Sequence, residues 1–200
     1  DARYADVELV WGREANRFVV AELADLSPGR ALDLACGEGR NAIWLAARGW
    51  RVTAVDFSAV AVGRGRELAA SAGVTVDWVV TDVVTHRPEP EAFDLVLIAY
   101  LQLPAAELAR VLSHAVSALA VGGELLVVGH DRTNLTDGVG GPQVPEILHT
   151  PEEVVAGLGD LVVRRAERVR RPVQLETGTT DAIDTLVRAQ RPPAPGVRSG

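Results

Sequence analysis

Hydrophobic positions along this 200-residue chain switch between two periods. Short apolar runs, spaced as buried strands, alternate with stretches in which apolar residues recur every three or four positions, as on one helix face. The first helix is predicted from Asn16 to Leu26, with Val19, Leu23 and Leu26 on one side and Ser27-Pro28-Gly29 as its stop. A strand from Ala31 to Ala35, a glycine turn, a helix carrying Ile43, Trp44 and Ala47, and a second strand from Arg51 to Val55 then form one βαβ unit. Its crossover must be right-handed for the second strand to return parallel to the first.

The alternation continues. Ser58 is placed to cap a helix running to about Ser71, strands are predicted over Val74 to Val80 and Phe93 to Ile98, and Pro104 opens a helix with Leu108, Val111, Leu112, Ala115, Val116 and Leu119 in one stripe. Gly122-Gly123 stops that helix, and Glu124 to Gly129 reads as a fifth strand. Residues 131–149 carry no period, and structureless stretches of that length in compact domains are usually functional or disordered. Thr150-Pro151-Glu152-Glu153 has the form of a capping box that restarts a helix. Leu161 to Val169 and Ala182 to Ala189 are predicted to close the chain as an antiparallel pair across a polar turn containing Gly178. One domain over residues 1–191 is expected, with a disordered proline-rich tail at 192–200.

Composition narrows the chemistry. The 20 basic residues are all arginine, which excludes Schiff-base and P-loop lysine chemistry, and a net charge of −7 without a long basic run argues against a nucleic-acid partner. A single cysteine, Cys36, leaves no internal disulfide and no cysteine-rich metal site, so no metal is expected. No apolar run approaches the ~20 residues that span a bilayer, and no secretory signal opens the chain, so no membrane partner and a cytoplasmic location are expected.

The candidate chemistry gathers at the carboxyl ends of the strands. Gly37 and Gly39 allow a sharp turn and a close ligand approach, and Asp56 at the end of the second strand can serve a ribose hydroxyl. Gly37-x-Gly39-x-x-Ala42 also satisfies a loose dinucleotide fingerprint, so a dinucleotide and an adenosyl cofactor both remain open at this point. Asp33 inside the first strand favours the second, because negative charge is unhelpful beside a diphosphate and welcome beside a cationic methionine amino group. Arg40 and Asn41 open the helix after the loop, and Asp82 follows the third strand, where a carboxylate can accept from an adenine amino group.

With Asp33-x-Ala35-x-Gly37-x-Gly39 the chain resembles the class I S-adenosylmethionine-dependent methyltransferases, whose loop follows an acidic-x-Gly-x-Gly-x-Gly pattern; here alanine replaces the first glycine. The resemblance is to small soluble members of the tellurite-resistance and thiopurine type. It implies an α/β, single-domain, Rossmann-like seven-stranded sheet with helices on both faces and an antiparallel terminal strand pair. It implies S-adenosylmethionine as cofactor, with S-adenosylhomocysteine as product. Asp33, Ala35, Gly37, Gly39, Arg40 and Asn41 would seat the methionine part, with Arg17 reaching its carboxylate. Asp56, Phe57 and Ser58 would meet the ribose and adenine edge, Asp82 and Val83 the adenine, and Ala99 the cleft wall. Residues 1–28 would cover the cofactor.

The implied acceptor is a small molecule carrying a thiol, chalcogen anion, hydroxyl or ring nitrogen, handled by a monomer or homodimer. Trp11, Tyr100, Gln102, Arg132, Asn134 and Gln143 are the candidate acceptor contacts, and the His130-Asp131 pair is the candidate base. Two alternatives stay open: an NAD(P)-dependent oxidoreductase, and a non-enzymatic domain that binds the adenosyl cofactor.

Overall fold

The computed structural model describes residues 14–175 and 178–193. Helix α1 (Arg17–Leu23) precedes strand β1 (Arg30–Leu34), helix α2 (Arg40–Ala47), strand β2 (Arg51–Asp56), helix α3 (Ala59–Ser71) and strand β3 (Asp77–Val80). Strand β4 (Phe93–Ala99), helix α4 (Ala105–Ala118) and strand β5 (Leu119–His130) complete the parallel part. The short helices α5 (Asn134–Asp137) and α6 (Pro151–Ala156) lead to the closing hairpin of β6 (Val162–Leu175) and β7 (Gly178–Gln190).

The seven strands lie in the order β3-β2-β1-β4-β5-β7-β6, with β7 inserted antiparallel between β5 and β6. Period-two burial divides the sheet into two apolar faces. Leu32, Leu34, Val96, Ile98, Leu125 and Val127 pack with Leu108, Val111 and Leu112 of α4 and Val154 of α6. Ala31, Val52, Ala54, Leu95, Leu97 and Leu126 pack with Val19 and Leu23 of α1 and Ala42 and Leu45 of α2. Because β1 is flanked by β2 on one side and β4 on the other, the chain changes direction across it, and a crevice opens there at the carboxyl ends. Among the described residues no helix is long and apolar enough to cross a membrane.

Several elements differ from their predicted bounds: α1 ends at Leu23 rather than Leu26, and β3 begins at Asp77 rather than Val74. Strand β5 begins at Leu119, which pairs with Phe93, and the Gly122-Gly123 segment lies inside it beside a register shift. The closing hairpin is much longer than the pattern predicts, with register pairs running from Val162–Gln190 to Leu175–Gly178. The reason is exposure: the added residues, 170–174 on the edge strand and 178–181 on β7, are exposed or only half-buried, so pairing between the two strands rather than a hydrophobic pattern defines them. The capping box at Thr150 forms with both of its reciprocal hydrogen bonds.

Candidate active site

A cleft of about 900 Å³ opens at the carboxyl ends of β1, β2, β4 and β5. Its floor rests on unusual backbone. Ala35 at φ 60° and Tyr100 at φ 57° both hold the left-handed region without being glycine, one after β1 and the other after β4. Between them the first loop is tied down locally: Cys36 N–H donates to the Val55 carbonyl at 3.0 Å and Gly39 N–H to the Cys36 carbonyl at 2.9 Å. Asp56 then joins the first two strand ends. Its carboxylate accepts from Gly37 N–H at 2.8 Å and from Ser58 N–H at 2.9 Å, which fixes its orientation and leaves lone pairs toward the cleft that it lines.

Gly39 serves packing. It caps α2 at φ 77°, and a Cβ there would lie 2.2 Å from the Trp78 ring. A Cβ at Gly65 on α3 would lie 2.5 Å from the same ring, so both glycines make room for one indole. Phe57, 69% exposed at the cleft edge, offers an apolar face suited to a purine. Asp82 also lines the cleft; one of its oxygens accepts from Val84 N–H at 2.9 Å, and the other is available to a donor such as an exocyclic amine.

Asp33 is buried, on the sheet face covered by α2, and neither of its oxygens has a hydrogen-bond partner. Burial first, and the neighbouring Asp56 second, push its carboxyl up to about 7, against the lowering pull of Arg40 and the Ala42 amide. It does not line the cleft surface but lies one layer beneath, so it acts on a ligand through its field. A cationic group bound above it would relieve the buried carboxylate, whereas a diphosphate would worsen it. The donor set therefore fits an adenosyl sulfonium compound.

A second part of the cleft is built around Asp184. This side chain, 0% exposed, accepts from the Tyr100 hydroxyl at 2.7 Å, from Arg171 Nε at 2.8 Å and from His130 Nδ1 at 3.1 Å. Burial works to raise its carboxyl, but hydrogen bonds from His130, Arg171 and Tyr100 hold it below the ordinary carboxylate range. An ionised carboxylate only accepts, so His130 donates from Nδ1, and in the neutral imidazole this tautomer leaves the lone pair on Nε2. The Tyr100 ring meets the imidazole edge-on, with centroids 4.8 Å apart, and its phenol is pushed up by burial and by Asp184. Asn16 closes this wall: its side-chain oxygen caps α1, and its Nδ2 donates to the Tyr100 hydroxyl at 3.3 Å.

Known proteins share this architecture. Residues 31–123 match the family model described as a methyltransferase domain. The chain carries a methyltransferase domain of the class I S-adenosylmethionine-dependent type. A structure solved in work on the conversion of a disulfide bond into a thioacetal group during echinomycin biosynthesis superimposes with a TM-score of 0.73 at 21% identity, covering 90% of this chain and 82% of that one. TehB from Haemophilus influenzae gives a TM-score of 0.73 at 19% identity, covering 88% of this chain and 62% of that one. At such identities these likenesses show the fold. The ribosomal RNA small subunit methyltransferase C of Alcanivorax borkumensis is 45% identical over 47 residues, 24% of this chain and only 14% of that protein's length. Of the two cofactor classes open in the sequence, the methyltransferase family uses S-adenosylmethionine.

The methyltransferase brings many of the expected residues to its cleft: Arg17, Ala35, Gly37, Arg40, Asn41, Asp56, Phe57, Asp82, Val83, Ala99, Tyr100, Gln102 and His130 all line it. It does not bring Asp131 there. That carboxylate, 0% exposed, is held by Thr133, Thr185 and Arg168, and the histidine's partner is Asp184 instead. Arg132 is also spent elsewhere, in a two-pronged ion pair with Glu153 and a bond to the Leu148 carbonyl. Asn134 staples the loop, accepting from Ile183 N–H at 2.7 Å and donating to the Gly140 carbonyl at 2.8 Å, while Gln143 turns back to the Gly141 carbonyl. Ser58 is buried as the N-cap of α3, and Trp11 lies outside the described residues. Asn16, Arg171 and Asp184 escaped the sequence reading; the available signal was an aspartate interrupting an otherwise apolar closing strand.

Proposed function

We propose that this methyltransferase moves a methyl group from S-adenosylmethionine to a small-molecule acceptor bearing an ionisable proton, with His130 as the base. The observation that carries the reading is one cleft with two chemically different ends, Asp56 and Asp82 at one and the His130–Asp184 pair at the other. Its volume of about 900 Å³ suits a cofactor with a small partner. When bound, the cofactor supplies a methyl group on a cationic sulfur, open to in-line displacement.

The chain's own residues then have separate tasks. Asp56 holds ribose hydroxyls, Phe57 and Val83 enclose the purine, and Asp82 accepts from its amino group. Arg17, Arg40 and Asn41 meet the methionine end, and Asp33 offsets its positive charge from below. Gly37 keeps the loop close to the ligand. At the other end His130 Nε2 takes the acceptor proton, while Asp184 fixes the tautomer and steadies the imidazolium. Gly141 lies over that imidazole, where a Cβ would approach the ring to 3.1 Å, so the 131–149 loop shields the base from water. Gln102 supplies a further polar contact. A small-molecule partner also agrees with the net charge of −7, and we place the activity in the cytoplasm.

The test is a screen with methyl-labelled S-adenosylmethionine against thiols, phenols, aliphatic alcohols, ring nitrogens and chalcogen anions, each across a pH range. Labelled product from a protic acceptor is expected. Binding of the cofactor without product from any class would replace the enzyme with a cofactor-binding domain.

A further inference from the structure

Arg171 has no task in that reading, on which the following rests. It stands on β6, outside the stretch that matches the methyltransferase domain, and pairs in register with Ala182, two positions before Asp184. Its Nε donates to Asp184 at 2.8 Å, and its guanidinium carbon sits 5.9 Å from the centre of the Tyr100 ring. One edge of the guanidinium is therefore fixed. Beyond Asp184 and the Tyr100 hydroxyl beside it, the guanidinium has no ion pair or hydrogen bond with another described residue, and the side chain lines the cleft together with Tyr100 and His130.

Asp184 divides its charge among three donors, so it does not spend itself on Arg171 alone. The positive field at this end is felt by Arg40, which burial lowers from its ordinary value and the charge of Arg171 lowers further. Leu101 and Leu103 on the same wall offer an apolar surface beside the fork. A planar guanidinium with one edge anchored and the other open matches a carboxylate with two parallel hydrogen bonds.

We infer that the acceptor is a small carboxylate-bearing molecule, its acid group docked on the terminal nitrogens of Arg171 and its nucleophilic atom thereby held toward His130. The fork is a specificity determinant supplied by the C-terminal hairpin.

The probes are benzoate, its neutral isostere benzamide, and inorganic phosphate, each titrated by NMR into protein saturated with S-adenosylhomocysteine. Benzoate is expected to bind at least about tenfold more tightly than benzamide, and to lose that advantage in Arg171→Gln. Arg171→Lys, which keeps the charge beside Asp184 and removes the fork, should weaken benzoate while leaving the fold and the S-adenosylhomocysteine affinity unchanged. Equal binding of benzoate and benzamide, or benzoate binding unaffected in both variants, would overturn the inference. So would phosphate binding more tightly than benzoate, or loss of S-adenosylhomocysteine affinity in Arg171→Lys, which would give the fork to the cofactor. Failure of the wild-type protein to bind S-adenosylhomocysteine would remove the cofactor reading first, and the acceptor with it.

Discussion

The two ends of the cleft are assembled in different ways. At the proposed cofactor end, Asp33, Ala35, Gly37 and Asp56 come from one βαβ unit, and the tie from Gly37 to Asp56 that joins its two strand ends spans 19 positions. At the proposed acceptor end, Tyr100 and Asp184 are 84 positions apart and His130 and Asp184 are 54 apart, and they meet only because β7 inserts antiparallel beside β5. A site made of consecutive segments is a property of a motif. One made across a sheet is a property of strand register, and a slip of one residue would turn Asp184 to the other face.

The sharpest way to break this comparison is to separate the ends functionally. His130→Ala should cut turnover by about 10²–10⁴-fold, the usual contribution of a positioned base, while S-adenosylhomocysteine binding by calorimetry stays unchanged. Equal loss of both would mean that the ends are one structural unit. Asp184→Ala should instead damage the fold, because it strands Arg171, His130 and Tyr100 around a missing acceptor. A loss of about 3–5 kcal/mol in urea denaturation is expected, with a shift below 1 kcal/mol contradicting the role given to this network.

The cofactor end carries a different liability in Asp33. Its carboxyl is raised to about 7 in the folded chain, so the native state holds a proton that the unfolded state has released. Its contribution therefore falls as pH rises from about 4 to about 7, and the whole cost is present above that window. Asp33→Asn should stabilise the ligand-free protein at pH 8 by roughly 2–4 kcal/mol and weaken the cofactor. A melting temperature that the substitution leaves unchanged between pH 5 and pH 8 would contradict it.

Smaller effects sharpen the packing around the loop. Gly65→Ala should cost about 1–3 kcal/mol, since the new methyl meets the Trp78 ring and the Glu38 carbonyl in a helix where alanine is otherwise preferred. Ala35→Gly should be neutral or stabilising by less than about 1 kcal/mol, because release of the left-handed strain at φ 60° is partly offset by the entropy of glycine. A clear loss of stability from that change would show that the alanine methyl contributes packing of its own.

Most of the fold, and the placement of the residues around the first βαβ unit, were legible in the sequence for the same reason: buried parallel strands, their turns and the residues just beyond them follow one another along the chain. Ala35 could be read as a small residue in a glycine position, though not its positive φ. Gly65 looked like a weakness of its helix because the indole it admits comes from β3. The acceptor end was legible only where a residue directly follows a strand, as Tyr100, Gln102 and His130 do. Asp131 looked like the natural partner of His130, yet consecutive residues in an extended strand point to opposite faces. The true partner belongs to another strand. Arg171 was read as part of a polar turn because an exposed edge strand shows no hydrophobic alternation.

The measurement that bears most directly on the account is calorimetric titration of the purified protein, cleared of copurified ligand, with S-adenosylhomocysteine and separately with NADH. Micromolar binding of S-adenosylhomocysteine, weakened by Asp56→Ala, and no binding of NADH are the predicted results. Binding of NADH alone, or of neither compound, would contradict the cofactor site described here and the methyl transfer built on it.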